Sequence, residues 1–541
     1  MNQKNAVWPY ALLVFLVSIV VYSNTLGHGF IYGDDEHVIV KNLYLTDWKY
    51  LPNLLTENWK AGFGQVTNYY RPLHLLIFAT IVHLSGAIPW PFHLFSILCH
   101  AGCGVLLFLF LRRLFPQARP WMAGAAALLW AVHPIQAEDI NWANGSATML
   151  HTFGMLASLV CFSKFLEKDE KKWWALSLLG FVAGLLSKEG VIVLPVLLLG
   201  FHWTLLRLDP AAQPNLGRML KTHGPFWAVA ALYVAARLTA LNFGGTLNFY
   251  AQSNVYTGNI LYRFYTLLSV LGYAFKIMII PQGLHPERTW PVFTSFFLKP
   301  VFLSFAAITG AIAAGIWSYR KEPRVTLGIF WFFAAYAPMS NLAAKINAIF
   351  WEHWLYAPSI GIAIAILAAA VAKPWAEKAF AGMACLAVPA FGLLTYQRNW
   401  NWRDSEAYYQ YTLRYEPRQA KLWTNLAMAV AEKGKNEEAI RYYQEAIRLS
   451  DTYPETRHNL AQTYLQIGRV DLAQEELKKA VALDPRFYHS YLTLAQIALN
   501  QNRPKEAIPY LETALAIYPY MPQVKQALET LKRGQARGKV P

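Results

Sequence analysis

Seven stretches of the chain, 7–26, 92–111, 173–187, 191–206, 296–318, 355–372 and 379–395, are nearly unbroken runs of apolar residues. Each approaches the ~20 residues that a helix needs to cross ~30 Å of hydrocarbon. A lipid-exposed segment must satisfy its own backbone hydrogen bonds, so these runs predict helices. Together with weaker apolar stretches they predict an all-α fold, a polytopic membrane helical bundle of about 10–12 spans. Beyond residue 396 the pattern changes: apolar residues return at helical spacing within a polar background.

That polar third repeats itself. Asn425-Leu426-Ala427 recurs 34 residues later as Asn459-Leu460-Ala461, and Thr493-Leu494-Ala495 follows after another 34. Ala439, Ala473 and Ala507 keep the same interval, as do Pro417, Asp451, Pro485 and Pro519. Gly434, Gly468 and Asn502 fall where paired helices would turn. A 34-residue helix–turn–helix period is the tetratricopeptide signature, and stacked repeats form an α-solenoid with a concave groove suited to extended peptide. Three repeats are expected over about 420–519, with 522–533 as a capping helix. The expected organisation is a membrane domain at 1–396, a linker at 397–419 and a repeat domain at 420–541. Asn425 and Asn459, on the first helices of their repeats, are candidates to hydrogen-bond a peptide backbone in the groove; Asn at a solvated position is the plainer reading.

Composition agrees with a membrane protein: 55% of residues are hydrophobic and 15% are charged, against roughly 25% charged in soluble domains. The net charge of +16 is concentrated in clusters at 112–119, 164–172, 207–221, 320–324 and 373–378. Such clusters mark cytoplasmic loops. No basic stripe lies on the soluble part, so nucleic acid is not an expected partner. The segments 27–71, 133–146, 241–262 and 339–354, the stretch around Lys188 and Glu189, and the repeats then face outward. This bookkeeping requires 72–89 to lie on the outer face, and either 263–281 or 296–318, preferentially 263–281, to be re-entrant or interfacial. The N-terminal apolar run is too long for a signal peptide and is read as an uncleaved first helix in an inner (cytoplasmic) membrane, with the repeats periplasmic or external. Cys99, Cys103, Cys161 and Cys385 lie in apolar segments without metal-binding or disulfide spacing.

Charged groups against a membrane are costly and mark function by default. The first outer loop opens with Asp34-Asp35-Glu36, three acids that repel one another and could supply a general base, share protons or bind a cation; an acidic cap or solvated turn is the bland alternative. Arg71, His93, His100, His133, Glu138, Lys188, Glu189, Glu352 and His353 fall on the same side. Acids and bases thus recur on one face, while the other carries basic clusters. Arg71 and Lys188 are the candidates to hold a phosphate, because guanidinium and ammonium pair with its oxygens.

At these residues the sequence resembles the C-fold glycosyltransferases that use polyprenyl-phosphate donors. More narrowly, it resembles the transmembrane and tetratricopeptide-repeat-containing proteins, relatives of the protein O-mannosyltransferases. The matching pieces are Tyr32-Gly33-Asp34-Asp35-Glu36 with Asn42; Tyr70-Arg71-Pro72-Leu73; His93 and His100; His133-Pro134 to Glu138; Ser187-Lys188-Glu189-Gly190; Glu352 with Leu355 to Ser359; and Gln397 to Asp404. The departures are Gly33 before the acidic pair, His353 where an Arg is expected, Gln136, and the stretch Asn141–Ser146. The short repeat array suggests a bacterial relative.

The resemblance implies that Asp34 or Asp35 acts as base toward a protein hydroxyl. A mannose-like sugar would be displaced from a polyprenyl-phosphate donor whose phosphate is held by Arg71, Lys188 and His133. Glu36, His93, Glu138, Glu189, Glu352 and His353 would support the site, and the repeats would hold the acceptor protein. No cofactor is required on this reading, and a divalent metal at Asp34, Asp35 and Glu36 is not predicted. Two rivals are an oligosaccharide ligase using a lipid-linked glycan and a non-catalytic envelope scaffold that recruits partners through its repeats.

Overall fold

The computed structural model describes residues 7–209, 215–244, 254–346 and 348–536. Among the described residues every regular element is helical. The chain divides into two compact units, Met1–Asp404 and Ser405–Pro541.

Counting helices of nine residues or more, the first unit contains α1 (Val7–Tyr22), α2 (Pro72–Ser85), α3 (Pro89–Leu114), α4 (Pro120–Ala131), α5 (Ser146–Lys168), α6 (Lys171–Leu185) and α7 (Leu194–Leu208). It continues with α8 (Leu216–Leu238), α9 (Ile260–Ile279), α10 (Lys299–Ser318), α11 (Pro323–Tyr336), α12 (Ser359–Val371) and α13 (Pro374–Asn399). Among the described residues, seven helical segments are long and apolar enough to cross a membrane, and α2, α4 and α12 are shorter apolar helices. The chain is a multi-pass membrane protein.

The basic loops converge on one face. Arg113 pairs with Glu167 at 2.8 Å, Arg218 with Asp169 at 2.7 Å and Arg119 with Glu377 at 3.1 Å, while Arg324 donates to the Leu114 carbonyl at 3.5 Å. The acidic loop lies at the opposite ends of these helices. Two helices return to the face they start from. The amide of Leu73, at the start of α2, donates to Leu186 O, and His83 near its end stacks on Trp48 of the first loop. Helix α9 is long enough to cross, yet Arg263 near its start donates to Asn341 O at 2.6 Å and Met278 O near its end accepts from His133. Both ends of α9 therefore meet carboxylate-side loops, which is the placement that the charge bookkeeping required of 72–89 and 263–281. The expected outer stretch 241–262 lies in part outside the described residues.

Hydrophobic burial drives no association between helices already in lipid, so close backbone contact and polar rungs must do so. Helices α5 and α6 meet through Gly154 and Gly180, where a Cβ added at Gly154 would come within 2.6 Å of Gly180 O. Ser158 and Ser177 add a buried hydroxyl pair at 2.9 Å. Helices α11 and α12 meet in the same way at Gly328 and Gly361.

The second unit begins with α14 (Ser405–Leu413), so the stretch 397–419, read from sequence as a linker, carries the end of α13 and a further helix. The repeat pairs are α15 (Ala420–Glu432) with α16 (Asn436–Leu449), α17 (Pro454–Gln466) with α18 (Val470–Leu483), and α19 (Tyr488–Asn500) with α20 (Pro504–Ile517); α21 (Pro522–Ala536) caps them. Ala439, Ala473 and Ala507 are fully buried, because only a small side chain fits between paired helices. Gly434, Gly468 and Asn502 all have positive φ, the left-handed conformation that ends each first helix. Thr424 bonds Thr456 at 2.8 Å and Gln462 bonds Thr493 at 3.0 Å, so polar rungs link the first helices of successive repeats.

Replacing Gly154 by Val is expected to force α5 and α6 apart and cost ~1–3 kcal/mol, the usual penalty of overpacking. Gly382→Ala, where nothing lies within 4 Å of the added carbon, is the matched control. Thermal unfolding in detergent checks this: a lowered midpoint for the first and an unchanged one for the second are expected.

Candidate functional site

The three acids after α1 do not converge. Gly33 has φ +104, a turn that L-residues resist, and it starts the bend from which they diverge. Asp34 pairs with Lys60 at 2.6 Å. Glu36 pairs with Lys41. Asp35 turns inward and is fully buried: one carboxylate oxygen accepts from the Ile31 amide at 3.0 Å and the other from the Asn144 amide at 3.0 Å. Burial raises the Asp35 pKa from 3.8 to about 7, overcoming the two amide bonds, which favour the charged form; neighbouring Asp34 adds a smaller upward push. Among the described residues, no grouping of three or more His, Cys, Asp or Glu side chains is arranged to hold a metal ion.

The stretch that receives Asp35 runs from His133 to Ser146. Asn141, within it, donates to Asn399 at 2.7 Å and accepts from Thr25 at 2.9 Å, joining the ends of α1 and α13. Thus the stretch that departs from the family pattern holds the first and last helices of the unit together. Thr148, in the next turn, accepts from the Lys188 ammonium at 2.7 Å. Lys188 is buried, and its pKa is lowered to about 8, first by burial and then by Arg71, against the opposing pull of Asp139, Glu189 and Glu138.

Arg71 is held by aromatic faces: its guanidinium lies 4.6 Å from the Trp59 ring centre and 4.8 Å from that of Tyr69. It also reaches Glu189 at 3.3 Å. Its Nε is buried with no hydrogen-bond partner. Trp59 in turn donates to His74 at 3.4 Å, and His74 bonds Ser146 at 2.9 Å. Through these contacts the cations and Asp35 are anchored to the same short segment, Asn144–Thr148.

Asp139 is the most exceptional group here. It is 1% exposed, neither carboxylate oxygen is in good hydrogen-bond geometry with a partner, and the Thr148 hydroxyl is the one donor close enough to favour its charged form. Burial raises its pKa well above 3.8; Lys188 pulls it down and Glu138 pushes it up. Glu138 bonds His353 Nδ1 at 2.8 Å through one oxygen and leaves the other unpartnered. A cavity of ≈20 Å³ lies between Thr148, His151, Lys188, Met339, His353 and Trp354. That is space on the scale of a single water, for which ~10–15 Å³ suffices.

Several candidates have other roles. His133 is not placed to hold a phosphate: Nδ1 accepts from the Ile135 amide at 3.1 Å and Nε2 donates to Met278 O at 3.1 Å. Burial lowers its pKa to about 4, so it stays neutral. His93 is buried with Nε2 3.4 Å from Gly29 O, and His100 bonds Tyr356 at 2.7 Å deeper in the bundle. Glu352 is a clamp: it accepts from Arg398 at 2.6 Å and from the His285 amide at 2.8 Å. His353 faces Glu138 rather than open space. In the second unit Asn425 donates to Tyr409 at 3.1 Å, which commits one of its donors, and Asn459 is half-buried. Asp139, Thr148, Trp59 and Lys60 were absent from the sequence candidates. Asp139 directly follows Glu138, so the sequence signal was there; the others only gain meaning from their partners.

Known proteins resemble this chain in both of its units. A family model described as dolichyl-phosphate-mannose-protein mannosyltransferase matches residues 71–237, and tetratricopeptide-repeat models match 418–485 and 458–522. The chain is 26% identical to mouse protein O-mannosyl-transferase TMTC3, covering 79% of this chain and 50% of that protein. It is 26% identical to human protein O-mannosyl-transferase TMTC4, covering 80% of this chain and 65% of that one. The chain thus spans half to about two-thirds of the length of these curated relatives. Among solved structures, ArnT from Cupriavidus metallidurans bound to undecaprenyl phosphate aligns over 91% of this chain and 81% of its own, with TM-score 0.39 and 15% identity. The chain is thus similar to protein O-mannosyl-transferases over about four-fifths of its length, with the mannosyltransferase model matching its membrane unit and the repeat models matching its second unit.

Because Asp35 is neutral in the fold up to about pH 7 but ionised above about 4 when unfolded, the folded state binds the extra proton between those values. Its contribution to stability is complete below pH ~4 and lost as pH rises to ~7. Relative to Asp35→Asn, the wild-type melting temperature is expected to fall across this window and then level off. Parallel curves for the two proteins would show that burial does not hold the proton.

Proposed function

We propose that the chain is a membrane glycosyltransferase that moves a mannose-like sugar from a polyprenyl-phosphate donor to a protein hydroxyl. The reaction takes place on the membrane face opposite the basic loops, which is periplasmic or external if the membrane is a cytoplasmic one. The repeats hold the acceptor protein. The names of the related mannosyltransferases support this class, and one observation favours a particular base: Asp35 is buried with a pKa near 7, while Asp34 is engaged by Lys60. A base titrating near the working pH has both the ionised form and the proton affinity that the step needs.

On this reading the Asp35 carboxylate takes the hydroxyl proton as that oxygen attacks the anomeric carbon. The bond from that carbon to the phosphate oxygen breaks, and the lipid phosphate leaves with its electron pair. Arg71 and Lys188 meet the departing charge. The unpartnered Arg71 Nε and the two N–H bonds of the Lys188 ammonium not directed at Thr148 are donors available to phosphate oxygens. Asp139, Glu189 and Glu138 together oppose the loss of the Lys188 proton. The cavity beside Lys188 is far too small for a sugar phosphate, so the donor must displace the side chains that close it, with Trp354 and His353 on its wall.

Transfer from a labelled polyprenyl-phosphate mannose to acceptor protein tests the proposal. Asp35→Asn is expected to lose ~10²–10⁴-fold in rate, the usual worth of a general base. Asp34→Asn, at the Lys60 pair, is expected to lose less than ~10-fold. Wild-type transfer should rise as pH approaches about 7, because the base must be ionised, and fall again above about 8, where Lys188 loses its proton. A full rate for Asp35→Asn would remove Asp35 as base, and no transfer from any polyprenyl-phosphate sugar would overturn the enzymatic reading.

A further inference from the structure

A groove of ≈700 Å³ opens between α7, α8 and α11, at the ends of α7 and α11 remote from Lys188. Its volume lies within the ~300–1,000 Å³ typical of pockets that enclose one small-molecule ligand. Its walls are apolar and include Leu199, Gly200, Trp203, Met219, Leu327 and Phe330. Leu199, Trp203 and Phe330 present large surfaces outward. Inside a lipid bilayer such a trench opens sideways to hydrocarbon.

Polar chemistry gathers at one end of it. The Trp203 indole donates to the Tyr319 hydroxyl at 2.8 Å, and the Arg207 guanidinium lies 5.2 Å from the centre of the Tyr319 ring. The Lys321 ammonium lies 3.9 Å from the centre of Trp317. Arg320, between them in sequence, is exposed. Glu322, the acid nearest Arg320 and Lys321 in sequence, is held by Arg324 through contacts of 2.5 and 2.6 Å, and Asp209, two residues after Arg207, is the one other acid nearby in sequence, so cations outnumber acids here. The rim therefore presents cations beside Trp and Tyr, the residue types that settle at the level of lipid headgroups. An apolar slot ending in cations fits a ligand with a hydrocarbon chain and an anionic head.

We propose that this groove binds an anionic diacyl phospholipid from the leaflet on the basic face. One acyl chain occupies the trench, and the headgroup phosphate rests against Arg207 and Arg320. The glycosyl donor is not the occupant. Its phosphate must reach Arg71 and Lys188 at the other face, ~30 Å of hydrocarbon away, and cannot at the same time sit at Arg207.

The test uses the full-length protein in nanodiscs with a phosphatidylglycerol carrying a photoreactive acyl chain. Cross-links are expected on α7 and α11 within the groove, with competition by unlabelled phosphatidylglycerol about tenfold stronger than by phosphatidylcholine, the order that one or two basic side chains confer at a charged surface. Leu199→Trp or Thr204→Trp, each filling the trench, should abolish the labelling, and Arg207→Glu should erase the headgroup preference; melting curves confirm that each variant is folded. Labelling elsewhere on the wild-type protein, equal competition by the neutral lipid, or stronger competition by a polyprenyl phosphate would overturn the proposal. The wild-type experiment decides the matter even if every variant unfolds.

Discussion

One carboxyl group ties the carboxylate face together. Asp35 accepts amide hydrogens from Ile31 in its own loop and from Asn144, 109 residues further on. A buried carboxyl that lost its donors would be left with unpaired oxygens at a cost of ~1–3 kcal/mol, so the two loops stay where their amides point at it. Once Asn144 is fixed, the first turn of α5 is fixed, and with it Ser146, which holds His74, and Thr148, which holds Lys188. Asn141 extends the same segment to the ends of α1 and α13. The position of the phosphate-binding candidates is therefore a consequence of where Asp35 is buried.

A second fastening lies beside the first. Glu352 takes Arg398 and the His285 amide, while Arg398 also donates to Pro134 O at 2.6 Å. Burial pushes the Glu352 carboxyl up even against Arg398, the largest opposing influence. A buried ion pair of this kind adds little net stability, because desolvation consumes most of its Coulomb gain, but losing one partner leaves the other charge stranded. Its consequence is geometric: the loop after α9, the end of α13 and the turn after His133 are held in one arrangement around the cavity.

How much of this the sequence carried depends on the range of the interaction. The spans were legible because hydrocarbon thickness sets their length. The repeats were legible because Ala439, Ala473 and Ala507 pack against partners a few residues away, so the 34-residue period is a local property. The placement of 72–89 and 263–281 followed from the distribution of Lys and Arg, which constrains whole helices rather than contacts. Roles of individual polar residues were not legible. His133 looked like a phosphate ligand until its two ring nitrogens were seen to be engaged by Ile135 and Met278. Glu352 looked like part of the site until Arg398 was seen beside it. In both cases the deciding partner is remote in sequence or is a backbone atom, which no residue pattern displays.

The two faces of the bundle treat charge in opposite ways. On the basic face the pairs at the end of α5 are wet: Glu167 is 63% exposed against Arg113, and Asp169 72% exposed against Arg218, while Glu322 and Arg324 are partly covered. Such pairs contribute ~0–1 kcal/mol, and their residues orient the protein rather than build it. On the carboxylate face Asp35, Glu138, Asp139, Lys188 and Glu352 are all buried, where each charge costs several kcal/mol to desolvate. Stability alone would replace these groups with apolar side chains. They persist together at one end of the bundle, with Asp139 at most weakly bonded, by Thr148, and one oxygen of Glu138 left unsatisfied. Incomplete satisfaction is a poor way to hold a fold and a suitable way to receive a charged ligand, because the missing bonds can be made when it arrives. The asymmetry between the faces therefore points to chemistry at the carboxylate end more firmly than any single residue there.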